Sequence, residues 1–270
     1  MRKNNRVFLQ HGITKDDAEW LYYTNCMFRL FVCGAKPEYE YIKERFGYPE
    51  RNIVYTGFCR FDGLHDGRQK GNGNRILVMP TWREWLARAS KSSDEKQLFD
   101  SYDSSVYYKK WSEFLQSERL DKLLSDNKCT LLFYPHRNMQ PFLYHFRKLC
   151  LPTTVEIADP SKVGVQQALN ESDCLITDYS SVFFDVAYMR KQVVFYQFDE
   201  AEYRSKQYKV GYFDYRNNLL GQWSATLDDC LDLVENAIAS GFVGSDTVDD
   251  FFPLYDRVNC KRYYEAINQC

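Results

Sequence analysis

Cys174–Asp185 reads CLITDYSSVFFD, and the change of pattern within it decides the fold class. Cys174–Thr177 is a short apolar run that stops at a polar turn, and Val182, Phe183 and Phe184 follow. A continuous apolar run of that length suits a strand buried on both faces, as in a parallel sheet covered by helices. The turn Asp178–Ser181 then leads into a helix predicted over Ser181–Met189, and Val193–Tyr196 supplies the next strand. Strand, helix and strand in that order make a βαβ unit, which puts the polar turn at the carboxyl end of a sheet.

The same alternation continues in both directions. Upstream, strands are predicted at Arg75–Met79, Thr130–Tyr134 and Val155–Ile157, with helices at Tyr107–Leu124 and Val163–Asn170. Further upstream lie strands Val7–Gln10, Leu30–Cys33 and Ile53–Tyr55, and helices Asp16–Asn25 and Pro37–Phe46. The last of these has proline in its first turn and Gly47 just past its end. Downstream, helices are predicted at Asp228–Ala239 and Cys260–Asn268. Asp66–Asn74 (DGRQKGNGN) contains three glycines and no apolar side chain, so it reads as a linker. The Ser- and charge-rich stretch Ala89–Ser105 is expected to be a mobile loop. The expectation is an α/β chain of two unequal doubly wound units. Residues 71–270 form a complete Rossmann-like domain, and residues 1–70 form the C-terminal part of another, only partly present.

Composition narrows the function classes. A chain with 44% hydrophobic and 27% charged residues is globular rather than disordered. A net charge of −2 creates no long-range field for nucleic acid, so none is expected as a partner. The nine cysteines show neither CxxC nor zinc-ligand spacing and are expected to be buried, reduced thiols of a cytosolic protein. No apolar run approaches the ~20 residues of a membrane span, and no signal-peptide core is present, so membrane contact is expected to be peripheral.

Polar clusters recur where strands end: His11–Gly12, Arg60, Thr81–Arg83, His136–Arg137 and Asp178–Ser181. Ligands of open parallel sheets bind at those ends. Ser180 and Ser181, with the exposed amides of a helix start, can hold a phosphate; the plainer reading is that Ser180 caps the helix. Asp185 lies four residues after Ser181 on the same helical face and can accept hydrogen bonds from ribose or polyol hydroxyls. Histidine side chains serve as bases near neutral pH, and Gly12 permits a close approach to the backbone beside His11. For His11 and His136 alike, the competing reading is an ordinary hydrogen-bonded loop residue. His65 and His145 read as structural. No acidic cluster has Mg²⁺ or Zn²⁺ ligand spacing, so no tightly bound metal or cofactor is expected.

Taken together, HGITKDD (His11–Asp17), TGFCRFD (Thr56–Asp62), MPTWR (Met79–Arg83), YPHRN (Tyr134–Asn138), LITDYSSVFFD (Leu175–Asp185) and FYQFD (Phe195–Asp199) resemble the CDP-glycerol glycerophosphotransferases. That family includes teichoic acid polymerases and their capsular relatives, and the order and spacing agree across residues 7–215. The resemblance implies a GT-B fold whose second domain holds the donor. It implies His11 as catalytic base and His136 as support for the donor pyrophosphate. It further implies donor contacts from Gly12, Ile13, Thr14, Lys15, Arg60, Thr81, Trp82, Arg83, Tyr134, Pro135, Arg137, Ser180, Ser181 and Asp185, with Arg83 or Arg137 neutralising phosphate charge. The implied reaction moves a polyol phosphate from a CDP-linked donor to a hydroxyl of a polymer or lipid-linked acceptor, at the cytoplasmic face of the cell membrane.

A nucleotide-sugar glycosyltransferase on the same fold is the alternative, and a non-catalytic nucleotide-binding subunit or fragment is another. Two departures bear on this. The polymerases usually read HGTP followed by Leu-Lys where this chain has HGITKDD, which leaves the transferred group open. The first motif also begins at residue 11, so a partner chain or further segment is expected to complete the acceptor half.

Overall fold

Parallel strands organise the chain into two sheets in the computed structural model, which describes residues 6–67, 74–89, 102–218, 220–245 and 248–270. Most of the expected linker and most of the expected mobile loop lie outside the described residues. The first sheet holds β1 (Val7–Phe8), β2 (Leu30–Cys33) and β3 (Ile53–Tyr55) in that order. The second holds β4 (Arg75–Val78), β5 (Thr130–Phe133), β6 (Val155–Ile157), β7 (Cys174–Thr177), β8 (Gln192–Tyr196) and β9 (Gln222–Ser224), in the order β6-β5-β4-β7-β8-β9.

Period-two alternation builds both faces of the larger sheet. Ile76, Val78, Leu131, Phe133, Cys174 and Ile176 enter one core, and Leu77, Leu132, Leu175, Val193 and Phe195 the other. The register sets Leu77 opposite Leu175 and Val78 opposite both Ile176 and Phe133. Counted from β4, the strand order is three-two-one-four-five-six, the Rossmann order. Its direction reverses between β4 and β7, and a crevice must open at their carboxyl ends, where Pro80–Arg83 and Asp178–Ser181 emerge.

The helices are α1 (Tyr23–Cys26), α2 (Lys36–Arg45), α3 (Phe61–Leu64), α4 (Glu84–Ala89), α5 (Val106–Leu115), α6 (Glu118–Asp126), α7 (Leu143–Arg147), α8 (Val165–Glu171), α9 (Val182–Tyr188), α10 (Glu200–Lys206), α11 (Leu227–Ala239), α12 (Val248–Phe251) and α13 (Asn259–Asn268). Several depart from the sequence expectation for local reasons. The helix expected over Asp16–Asn25 is a 3₁₀ turn, Glu19–Leu21, followed by α1. Asp17 N–H donates instead to the Lys209 carbonyl at 3.2 Å, and Tyr22 is extended at ψ 146°. The helix expected over Tyr107–Leu124 breaks at Ser117, whose hydroxyl accepts the Leu120 amide and starts α6; such caps contribute about 1 kcal/mol. The strand expected to reach Gln10 ends at Phe8, and Gln10 turns to a left-handed φ of 58°. The edge strand β9 was not foreseen.

One core cluster runs through both units, and Phe61 of α3 stacks on Tyr188 of α9 at 4.2 Å between ring centres. The chain end also returns to the first unit. In α13, Tyr263 donates to the Leu9 carbonyl at 2.6 Å and Arg262 to the Thr56 carbonyl at 2.8 Å. Gly57, at φ +74°, sits so close to Asn259 that no Cβ could be added there. The expected division at residue 70/71 does not include this return. All nine cysteines are free, but Cys59, Cys150 and Cys260 are exposed and Cys26 and Cys270 half-buried, so only four are buried as expected. Among the described residues no helix is long and apolar enough to cross a membrane.

Candidate active site

A cavity of about 500 Å³ opens at the carboxyl ends of β1, β4, β5 and β7. Its first wall is Gln10–Asp16 with Trp20 and Leu21; its second is Thr81, Trp82, His136 and Tyr179–Ser181, with Tyr203 and Tyr208 at the side. The walls touch where Gly12 lies against Ser181. A Cβ on Gly12 would come within 2.6 Å of the Ser181 hydroxyl, so the glycine serves contact between the units as well as any approach by a ligand. A cavity of similar size, about 530 Å³, lies at the amino ends of β2 and β3 beside Arg29 and Arg51 and contains none of the motif residues.

The two histidines converge on the first cavity from different sheets. His11 is exposed after β1, and His136 stacks on Trp82 at 6.1 Å. Enclosure in the cleft lowers the His136 pKa, Asp178 opposes the shift, and nearby His11 adds to it. His136 therefore stays mainly neutral near pH 7. Its Nδ1 accepts the Asn138 amide at 3.2 Å, which leaves the proton of the neutral ring on Nε2. The Thr81 amide is held by Asp178 at 2.7 Å, whereas the buried Thr81 hydroxyl has no partner among the described residues.

Of the residues singled out from sequence, His11, Gly12, Ile13, Thr14, Lys15, Thr81, Trp82, His136, Ser180 and Ser181 line the cavity. Within that group Ile13 has its side chain in the core. Lys15 is buried with its ammonium on Asp16, which also accepts from Arg204 at 2.7 Å; burial lowers the Lys15 pKa. Ser180 accepts the Val182 amide at a long 3.4 Å, and Ser181 makes no capping bond, so neither hydroxyl is a strong helix cap.

Arg60, Arg83, Tyr134, Pro135, Arg137 and Asp185 do not line it. Arg83 corrects the expectation most sharply. Its guanidinium is wholly buried, paired with Asp199 at 2.8 and 2.9 Å and with Asp178 at 2.8 Å, and surrounded by Tyr107, Tyr179 and Tyr203. It cannot reach a donor phosphate; it ties the loops after β4, β7 and β8 together. Arg60 and Asp185 likewise bond to each other, at 2.6 and 3.1 Å, and so bridge the two units instead of facing a polyol. Burial raises the Asp185 pKa against the pull of Arg60. Tyr134 donates to the Val163 carbonyl at 3.0 Å, next to the buried Pro135, and the exposed Arg137 opens a 3₁₀ turn. Sequence reading missed Trp20, Tyr179, Tyr203 and Tyr208. Of these, Trp20 is 54% exposed and meets Tyr208 at 5.6 Å.

A Rossmann-ordered sheet facing a second parallel sheet, with a cleft at the switch point, is the arrangement of the GT-B fold. Residues 9–267 match the family described as CDP-glycerol:poly(glycerophosphate) glycerophosphotransferase, and the chain belongs to that family. It is 33% identical over 269 residues to the minor teichoic acid biosynthesis protein GgaB of Bacillus subtilis (strain 168), covering 97% of this chain and 29% of that protein. It is also 33% identical over 222 residues to the teichoic acid poly(glycerol phosphate) polymerase of the same strain, covering 77% and 26% respectively. The chain therefore spans less than a third of either relative. Among solved structures, the wall teichoic acid polymerase TagF shares the fold with a TM-score of 0.59 at 17% identity, covering all of this chain and 69% of that one.

Replacing both Ser180 and Ser181 with alanine should weaken binding of a CDP-polyol by about 1–3 kcal/mol, the scale of hydrogen bonds lost to a charged group. Calorimetry measures the loss, and the melting temperature without ligand should stay near that of the parent. A double variant that unfolds while its folded fraction binds normally would make the serines purely structural.

Proposed function

We propose that the chain transfers a polyol phosphate from a CDP-linked donor to a hydroxyl of a wall or capsular polymer, releasing CMP. The observation that carries this reading is the meeting of His11 and His136 in one cavity at the switch point of the Rossmann sheet. Family membership supplies the donor chemistry.

In the proposed step His11 takes the proton of the acceptor hydroxyl as its oxygen bonds to the β-phosphorus. The bond from that phosphorus to the bridging oxygen breaks, and CMP leaves with the bridging oxygen. The Nε2–H of His136 and the hydroxyls of Thr81, Ser180 and Ser181 are available to the phosphate oxygens. Donors set in advance around developing charge supply a large share of catalysis in phosphoryl-type transfer. The buried Arg83 contributes by holding the loops rather than by touching the donor. The reading also places the protein in the cytoplasm, peripheral to the membrane face where a polymer or lipid-linked acceptor is presented.

Calorimetry with CMP and a labelled-donor transfer assay on one preparation test this reading. Measurable CMP binding is expected, with slow transfer by the chain alone, because the first sheet contributes three strands against six in the second. Holding acceptor and donor in reacting geometry requires both halves. Absence of nucleotide binding would overturn the reading. Rapid formation of long polymer would overturn the expectation of a partner chain or further segment for the acceptor half.

A further inference from the structure

The loop that carries His11 rests on a single buried carboxylate. Glu38, in the first turn of α2, has no solvent exposure and does not line the cavity. Its Oε1 accepts the Thr14 amide at 2.6 Å and the Gln10 side-chain amide at 3.0 Å, and its Oε2 accepts the Gly34 amide at 2.7 Å. The Ala35 amide and the Thr14 side chain also bond to it. Gln10 donates as well to the Thr14 hydroxyl at 2.6 Å. The two residues that bracket His11–Ile13 are thus tied to each other and to the same carboxylate. Gln10 has a φ of 58°, a left-handed conformation that a non-glycine residue keeps only where its surroundings hold it.

The surroundings of Glu38 do not resemble those of a stabilising ion pair. The ionisable groups that feel its charge include Cys33 of β2, Tyr55 of β3, Tyr212 beyond α10 and Tyr263 of α13, and among the described residues no cation pairs with it. Burial pushes the carboxyl up to about 8, although its hydrogen-bond donors favour the ionised form. A buried carboxylate with no cation is costly, and an apolar side chain would fill the same space at lower cost. What an apolar side chain cannot do is collect amide donors from Gly34, Thr14 and Gln10 onto one point.

We propose that Glu38 is a positioning residue for the transfer step, fixing the Gln10–Thr14 loop and thereby where the His11 imidazole stands. The role rests on the proposed function of His11 and acts through it, without contact with the donor. Misplacing a catalytic group by about 1 Å can reduce rate by about 10²-fold.

Glu38→Gln in this chain tests the idea. It keeps the volume but turns an amide NH₂ toward donors that had met an oxygen. Turnover should fall by about a hundredfold, with KM for the donor and CMP affinity within about threefold of the parent. The His11 ring resonance, assigned with His11→Ala, should shift while that of distant His145 stays. Unchanged turnover, or a parallel loss of CMP affinity, overturns the proposal. If the parent chain shows no transfer, the proposed function fails separately and the His11 resonance decides: a shift supports positioning and an unmoved resonance refutes it. If Glu38→Gln does not fold, Gln10→Ala removes the loop's side of the same contact. It should then lower turnover by about five- to tenfold and move the same resonance, and no change in either overturns the proposal.

Discussion

Replacing His11 with alanine should lower transfer by about 10²–10⁴-fold, the usual consequence of losing a general base. The loss should fall on turnover, with donor affinity kept within about tenfold. His11 is exposed on a loop after β1, so its removal opens no hole in either core. His136, Thr81, Ser180 and Ser181, on the opposite wall, follow strands of the other sheet and remain in place. Calorimetry with CMP and initial rates with a labelled donor separate the two effects. A folded His11→Ala protein that turns over at nearly the parental rate would remove His11 from the mechanism.

Replacing Arg83 with methionine should destabilise the fold by about 3–5 kcal/mol, because it leaves two buried carboxylates without their cation. At this chain size that corresponds to a melting temperature lower by roughly 10 °C. Asp199 already has a raised pKa from burial, partly offset by Arg83, and Asp178 has no exposure. Without the guanidinium the Asp199 carboxyl should titrate higher still above its value in the unfolded chain. The sign follows from linkage: a carboxyl raised on folding favours the folded state at low pH, and that contribution disappears as pH rises through its folded pKa. The Arg83→Met protein should therefore be less impaired at pH 5 than at pH 8, as thermal unfolding at the two values would show. Adding Asp199→Asn should recover part of the loss. Equal stability of Arg83→Met and the parent at pH 8 would refute the assignment of Arg83 to the interior.

The contrast between these two residues marks how far the sequence could be read. His11 follows an apolar strand, and strand ends are local features, so its place at the cavity was visible in the order of residues. Arg83 follows a strand as well, and on that evidence alone it resembled a phosphate ligand. Its partner Asp199 lies 116 positions away, just as Asp185 lies 125 positions from Arg60. A guanidinium suits a phosphate and a buried carboxylate equally, so residue type could not choose between them. Tyr203 was missed for a related reason. It sits within α10, away from any strand end, and reaches the cavity by stacking on Tyr179, which follows β7, at 3.8 Å between ring centres.

From the sequence alone came the parallel α/β class and the histidine and serine clusters that line the cleft. These depend on short apolar runs and on the residues that end them, interactions spanning a few positions. Tertiary structure alone decided the return of α13 to the first unit, the inward turn of Arg83, the Arg60–Asp185 bridge and the seat of the His11 loop on Glu38. Each depends on which distant group meets a charge once water is excluded. That is settled by how the two sheets pack, because a buried polar or charged group without hydrogen-bond or ionic partners is too costly to keep.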